Sequence, residues 1–297
     1  MPTIDLQGVT CAYDLTPPIA ATAPLVFVHG WLLSRHYWKP VVERLAAHHQ
    51  CLAYDLRGFG DSTLPAVGLQ PRSPRGYSLA AYAEDLHQLL EHLGLSEVWL
   101  VGHSLGGSIA LWGAAQMSDR VKGVICVNAG GGIYLKEQFE QFRAAGRQIV
   151  RLRPKWLKHL PLVDLLFTRA GAVQPLARSW ARQRLVDFVT AHPEAALGAL
   201  LESTTEPEVH RLPQIVAQLE QPTYFITGDR DPIMEPQYVR HLASFHYLFG
   251  DGGENVVEIP NCGHLSMLEH PDIVATTIQT IVTNARARGA IANSALS

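Results

Sequence analysis

Cysteine is scarce in this chain, with four residues among 297. Cys11, Cys51, Cys126 and Cys262 lie far apart, and none stands in Cys-x-x-Cys spacing. That pattern argues against a zinc site and a disulfide framework, and it fits a reducing compartment. Charge is also sparse. Charged residues make up 17% of the chain and the formal net charge is −3, which leaves no case for general nucleic-acid binding. No apolar run reaches the length of a membrane span. Met1-Pro2-Thr3-Ile4-Asp5 lacks the basic and apolar regions of a signal peptide, so the expected location is cytoplasmic. The hydrophobic fraction is 47%. That is enough for the core of one large α/β domain, or of a core domain with an inserted subdomain.

The chain is organised around Glu97-Val98-Trp99-Leu100-Val101-Gly102-His103-Ser104-Leu105-Gly106-Gly107. An apolar run of strand character enters Gly-x-Ser-x-Gly, and Ser108 to Met117 reads as a small-residue helix. Strand, tight turn carrying Ser, then helix is the setting of a nucleophile elbow. Gly102 and Gly106 suit a turn too sharp for side chains. The hydroxyl of Ser104 would stand free above the sheet edge. The Leu105 N–H would begin a helix, where an amide is unpaired and can bind an oxyanion.

Elsewhere, residues 4–13 read as an edge hairpin around Gly8. Leu25–Val28 is an apolar strand followed by His29-Gly30-Trp31, and Ser34 is placed to cap a helix running to about His48. Cys51–Tyr54 is a strand, 63–76 a surface loop, and Ser78 starts a helix that Gly94 stops. Val121–Val127, Pro222–Thr227 and Val256–Ile259 complete the strands. A final helix is expected over 265–286, with a frayed tail after Ala287. Strands alternate with helices and the later strands are largely apolar. This predicts an α/β fold with a mostly parallel central sheet flanked by helices. Reactive groups in such sheets gather beyond the carboxyl ends of the strands. Between Gly130-Gly131-Gly132 and Pro222 the pattern is helical without a clear strand. Residues 1–132 and 221–297 are therefore read as the core, and 133–220 as an inserted helical cap hinged at the glycines.

A serine hydroxyl is a poor nucleophile at neutral pH and needs a base, which in turn needs an acid to fix its tautomer. His264, in a Gly-flanked loop after a strand, is the best base. Asp231, just past another strand end, is the best acid, with Asp229 as its competitor. His29 and His103 are read as structural, His270 as a helix residue, Asp55 and Arg57 as braces of their turn, and Cys262 as a bystander.

The order Ser, Asp, His, with the elbow and the strand placement, resembles the α/β-hydrolase fold family over about 20–132 and 221–286. His29-Gly30-Trp31 is similar to the family's oxyanion strand end, Asp55-Leu56-Arg57-Gly58-Phe59-Gly60-Asp61-Ser62 to its Asp-x-Arg-Gly-x-Gly-x-Ser turn, and Gly102–Gly107 to its elbow. Gly228-Asp229-Arg230-Asp231, and Gly263-His264 followed by Leu268-Glu269-His270-Pro271, resemble its acid and base segments. The resemblance implies Ser104, Asp231 and His264 as the catalytic set, with Asp231 preferred to Asp229. It implies the Trp31 and Leu105 amides as oxyanion donors, and no metal or organic cofactor. Ser at 104 disfavours the haloalkane dehalogenases and epoxide hydrolases of the family, which use Asp. Carboxylesterases, lipases, perhydrolases, C–C bond hydrolases, proline iminopeptidases and the lyase of menaquinone synthesis stay open.

The expected activity is hydrolysis of a carboxylic ester of a largely apolar substrate. The alternatives are a C–C hydrolase or lyase whose Arg143, Arg147 or Arg151 holds a substrate carboxylate, and a non-catalytic small-molecule receptor. The cap adds a charge asymmetry. Residues 143–184 carry ten Lys/Arg against Asp164 alone, interleaved with Trp156, Leu160, Leu162, Leu165, Leu166 and other apolar residues. Either this stretch buries an apolar face and solvates a basic one, or it contacts an anionic membrane peripherally or draws in an anionic substrate.

Overall fold

The wholly apolar stretches do form the centre of the sheet. The computed structural model describes residues 1–20, 22–64, 76–130 and 136–295, with the side chains of 136–139, 142 and 289–295 outside the description. Eight strands run β1 (Thr3–Leu6), β2 (Val9–Leu15), β3 (Leu25–Val28), β4 (Cys51–Tyr54), β5 (Val98–His103), β6 (Val121–Val127), β7 (Thr223–Gly228) and β8 (Val256–Ile259). Their order across the sheet is β1-β2-β4-β3-β5-β6-β7-β8. The hairpin β1–β2 and the pair β2–β4 are antiparallel, and every other pair is parallel.

Every residue of β3, β4 and β5 is buried. Period-two alternation splits their side chains between two cores. Val26, Val28, Leu100 and Cys126 face one core with α2 (Leu79–His92) and α3 (Leu105–Gln116). Leu25, Phe27, Trp99 and Ile125 face the other with α1 (Lys39–Leu45) and α10 (Pro271–Ala295). Each such side chain contributes about 1.5–3 kcal/mol when fully buried. Burial on both faces therefore explains why these strands lack polar alternation.

Between β6 and β7 the chain inserts helices α4 (Lys136–Arg151), α5 (Arg178–Thr190), α6 (Pro193–Ser203) and α7 (Glu206–Gln218), with two 3-10 turns, Lys155–His159 and Val163–Phe167, and α8 (Pro236–Ala243) lies between β7 and β8. The expected hinge at Gly131 and Gly132 and the loop over 65–75 lie outside the described residues. No helix among the described residues is long and apolar enough to cross a membrane.

Three local expectations need correction. Ser34 does not cap a helix to His48. A 3-10 turn spans Arg35–Trp38 before α1, and the Ser34 hydroxyl instead donates to Asp187 of the insertion at 2.9 Å. The final helix is two, α9 (Ser266–Glu269) and α10, because His270, just before Pro271, leaves the helical region at φ −137° and ψ 56° and Pro271 takes the first position of a new helix. The tail is helical to Ala295, in keeping with its Ala and Arg content.

Candidate active site

β5 delivers Ser104 into a turn with φ 52° and ψ −120°, a conformation that costs a non-glycine residue about 1–3 kcal/mol. The flanking glycines have no positive φ. Their task is close approach: a Cβ on Gly102 would lie 2.2 Å from the Gly106 carbonyl oxygen, and one on Gly106 would lie 2.3 Å from the Val28 oxygen. The turn thus puts the strain on the serine itself. α3 begins at the next residue, Leu105, and the first amides of a helix have no partner within it.

The loops after β7 and β8 converge on the same sheet end. The Nδ1–H of His264 donates to Asp231 Oδ2 at 2.8 Å. Asp231 is surrounded by donors. Its Oδ1 accepts from the amides of Ile233 and Met234 at 2.8 and 2.9 Å, and its Oδ2 also accepts from Asn128 Nδ2 at 2.9 Å. Burial works against its charge, but the His264 ring and these amides outweigh it and hold the carboxyl below its usual range. Asp229 instead accepts from the Cys262 amide at 3.1 Å and braces the neighbouring loop.

Ser104 and His264 line one cavity of about 410 Å³. No hydrogen bond joins their side chains among the described residues; such contacts often tighten only with substrate bound. Trp31 and Leu105 line the same cavity, and its remaining wall is mainly apolar, with Ile149, Phe167, Phe188, Leu200 and Leu212 from the insertion. The Trp31 indole N–H donates to the Ala196 carbonyl on α6 at 2.8 Å, so the loop after β3 is tied to the insertion.

The flanking histidines are structural. His29 donates from Nδ1 to the Gly30 carbonyl at 2.8 Å and accepts the Leu56 amide at Nε2 at 2.9 Å. The Nε2–H of His103 donates to the His264 carbonyl at 2.7 Å, and burial pushes its pKa down to about 3. His103 is therefore neutral at physiological pH. His270 bonds the Asn261 carbonyl, away from Asp231. Cys262 is free and buried, and burial raises its thiol far above the ordinary value, which removes it from thiolate chemistry.

A profile of the α/β hydrolase fold matches residues 23–271. The chain belongs to the α/β-hydrolase fold family. Among its relatives, the 2-succinyl-6-hydroxy-2,4-cyclohexadiene-1-carboxylate synthase of Salmonella typhimurium is 28% identical over 272 residues, covering 90% of this chain and 96% of that protein. A soluble epoxide hydrolase from Corynebacterium sp. is 38% identical over 99 residues, but the match spans only 33% of this chain and 32% of that protein. Among solved structures, a thermophilic esterase from Thermogutta terrifontis superposes with TM-score 0.75 at 24% identity, over 96% of this chain and 99% of the other. At that identity the likeness shows the fold alone.

Four side chains of this α/β hydrolase escaped the sequence reading. Asn128 directly follows β6, with φ 47°. Besides donating to Asp231, it donates to the Gly263 carbonyl at 3.0 Å and accepts from Ser266 Oγ at 2.5 Å, so it fixes the acid and base loops together. Glu269 accepts from the amides of Gly263 and Leu265 in the base loop and of Val173 and Gln174 in the insertion. Arg35, buried, ties Asp55, Asp61 and Asp14 together, while Arg57 pairs with Asp85. Asp55 and Arg57 thus brace their turn as expected. The fourth is Arg184, a guanidinium at the wall of the apolar cavity. It donates to the Phe167 carbonyl at 2.7 Å and stands over the Phe167 ring. By contrast, Arg143 bonds Leu201 and Thr204, and neither it, Arg147 nor Arg151 lines the cavity. A polar residue directly after β6 was the signal available for Asn128. The other three depend on contacts remote in sequence.

Behind the cavity Asp187 accepts from Ser34 and from Gln183. Burial raises its pKa to about 7. The unfolded chain ionises this carboxyl near its ordinary value, while the folded protein still holds the proton. Stability is therefore fully present below about pH 4 and declines as pH rises toward 7. Asp187→Asn is expected to remove that decline. Melting temperatures across pH 4–8 for both proteins check it, and parallel curves would refute it.

Proposed function

We propose that this α/β hydrolase is a serine esterase acting on a carboxylic ester with a largely apolar acyl or alcohol part. The observation carrying the reading is that His264, hydrogen-bonded to Asp231 behind it, lines one cavity with Ser104 and an apolar wall. In this reading His264 Nε2 takes the Ser104 proton as Oγ attacks the ester carbonyl. The Trp31 and Leu105 amides hold the tetrahedral oxyanion, and Asp231 keeps the imidazole in the tautomer whose Nε2 is free, then stabilises its cation. The imidazolium protonates the leaving alcohol and an acyl-Ser104 forms. Water, deprotonated by His264, attacks that acyl group and releases the acid. The helices from Lys136 to Gln218 serve as the cap that shapes the acyl site, which agrees with their apolar side chains in the cavity wall.

Arg184 favours a second reading: a C–C hydrolase or lyase on the same residues, with an anionic substrate group against that guanidinium. The relative named as a carboxylate synthase fits it too. Hydrolysis of p-nitrophenyl esters from acetyl to palmitoyl separates the two. Turnover with a medium-chain optimum, as a cavity of about 410 Å³ would give, supports the esterase. Inactivity of folded protein at every length, together with turnover of an anionic diketone or succinyl substrate, supports the second reading. Ligand-induced stabilisation without any turnover would point to a receptor.

A further inference from the structure

Much of the insertion buries its apolar side chains, Leu185, Leu200 and Leu212 among them, but one stretch does not. Along 149–166, Ile149, Leu152, Trp156, Leu160, Leu162, Leu165 and Leu166 are all exposed, with Leu152 at 67%, Trp156 at 59% and Leu166 at 75%. More than half of the large hydrophobic residues exposed on the described protein fall in this one stretch. The 3-10 turns Lys155–His159 and Val163–Phe167 pack against each other and on α5, which brings these two exposed apolar segments side by side. Leu162 has φ 66°, a left-handed conformation that the leucine side chain disfavours. Neither the backbone nor water favours a leucine there.

Exposed cations stand among and beside these residues in the chain. Arg147, Arg151, Lys155, Arg169 and Arg182 are exposed. The single acid of the stretch, Asp164, is buried and neutralised by Arg178 at 2.7 Å. Contiguous exposed apolar area ringed by polar groups marks an interaction site. Apolar side chains flanked by Lys and Arg, with Trp among them, suit the boundary between acyl chains and headgroups.

We propose that the surface 149–166, with its rim of Arg and Lys, docks on an anionic lipid surface. The leucines and Trp156 enter the acyl boundary and the cations meet the headgroups. A second copy of the chain fits less well, because like-charged stretches would face each other across a two-fold axis. The docked surface borders the cavity, since Ile149 is both exposed and part of its wall. Docking itself stands independently of the ester-hydrolase reading.

Co-sedimentation with phosphatidylcholine vesicles, with and without phosphatidylglycerol, tests it without any activity readout. Binding is expected to the anionic vesicles only and to fall at high salt. The pair Arg151→Gln and Lys155→Gln should weaken it about thirtyfold, at roughly 1 kcal/mol per cation near the surface. The pair Trp156→Ser and Leu166→Ser should weaken it about tenfold or more through lost apolar burial. All four positions are exposed, and unchanged melting temperatures certify the fold. No binding, or equal binding to both vesicle types, overturns the proposal. Self-association of the chain, abolished by Leu166→Ser and with no vesicle binding, also overturns it, in favour of a second copy.

Discussion

Ser104→Ala is expected to lower kcat/KM on the best p-nitrophenyl ester by about 10⁶, leaving only what the cavity and oxyanion donors supply. The loss is that large because, once the hydroxyl is gone, no oxygen nucleophile is left for His264 to deprotonate and no acyl-enzyme can form. The variant should fold. Ser104 pays a backbone penalty at φ 52° that alanine pays equally, and no side-chain hydrogen bond caps α3 from this residue. Turnover and thermal melting of the two proteins, measured side by side, separate lost chemistry from lost fold. An alanine variant retaining a tenth of the activity would remove Ser104 from the mechanism.

Asp231→Asn is expected to cost about 10⁴ in kcat at neutral pH, the scale found when a triad carboxylate becomes an amide. Here the reason lies in the surroundings. The groups hydrogen-bonded to Asp231 are all donors: the Ile233 and Met234 amides, Asn128 Nδ2 and the Nδ1–H of His264. An asparagine presents an NH₂ in place of one oxygen. If that NH₂ faces His264, it leaves the proton on Nε2, where a base must accept one. If it faces the Ile233 and Met234 amides, donors oppose donors in a buried site, at about 1–3 kcal/mol for each group left unsatisfied. A lowered melting temperature should therefore accompany the lost turnover. The carboxylate at 231 is held below its usual range and so stays ionised through the neutral region; it adds no pH limb of its own there. Asp229→Asn is the control. It keeps an acceptor for the Cys262 amide and should retain most activity. The opposite ranking of the two variants would reassign the acid.

Much of this was legible in the chain. The strands that the sequence marks most clearly, Leu25–Val28, Cys51–Tyr54 and Val121–Val127, recur in the structure with the same bounds, because burial on both faces leaves apolar runs, broken in these three only by the exposed Lys122. The elbow is legible for a steric reason: only glycine at 102 and 106 lets the turn approach the Gly106 and Val28 carbonyls. Position beyond a strand end selected Asp231 and His264, since a parallel sheet gathers its loops at one edge.

Other features have no local signature. The Ser34 hydroxyl looked like a helix cap and serves Asp187, which is 153 positions away. Asn128 was legible only as the end of a strand, although it bonds both the acid and the base loop. Glu269 and Arg184 act through partners that the insertion brings to them. The basic stretch 143–184 was legible as charge, but burial decided its division: Arg153 and Arg184 turn inward to backbone carbonyls, while Trp156 and Leu166 remain outside.

The sequence by itself determined the order of strands and helices and the positions of Ser104, Asp231 and His264. Local sterics and apolar patterning are written in neighbouring residues. The tertiary structure alone decided what surrounds those groups: the donors around Asp231, the Arg184 guanidinium in the apolar wall, and the leucines left exposed. Those depend on which distant segments meet, and the free energy of a buried contact belongs to the pair that makes it, not to either residue alone.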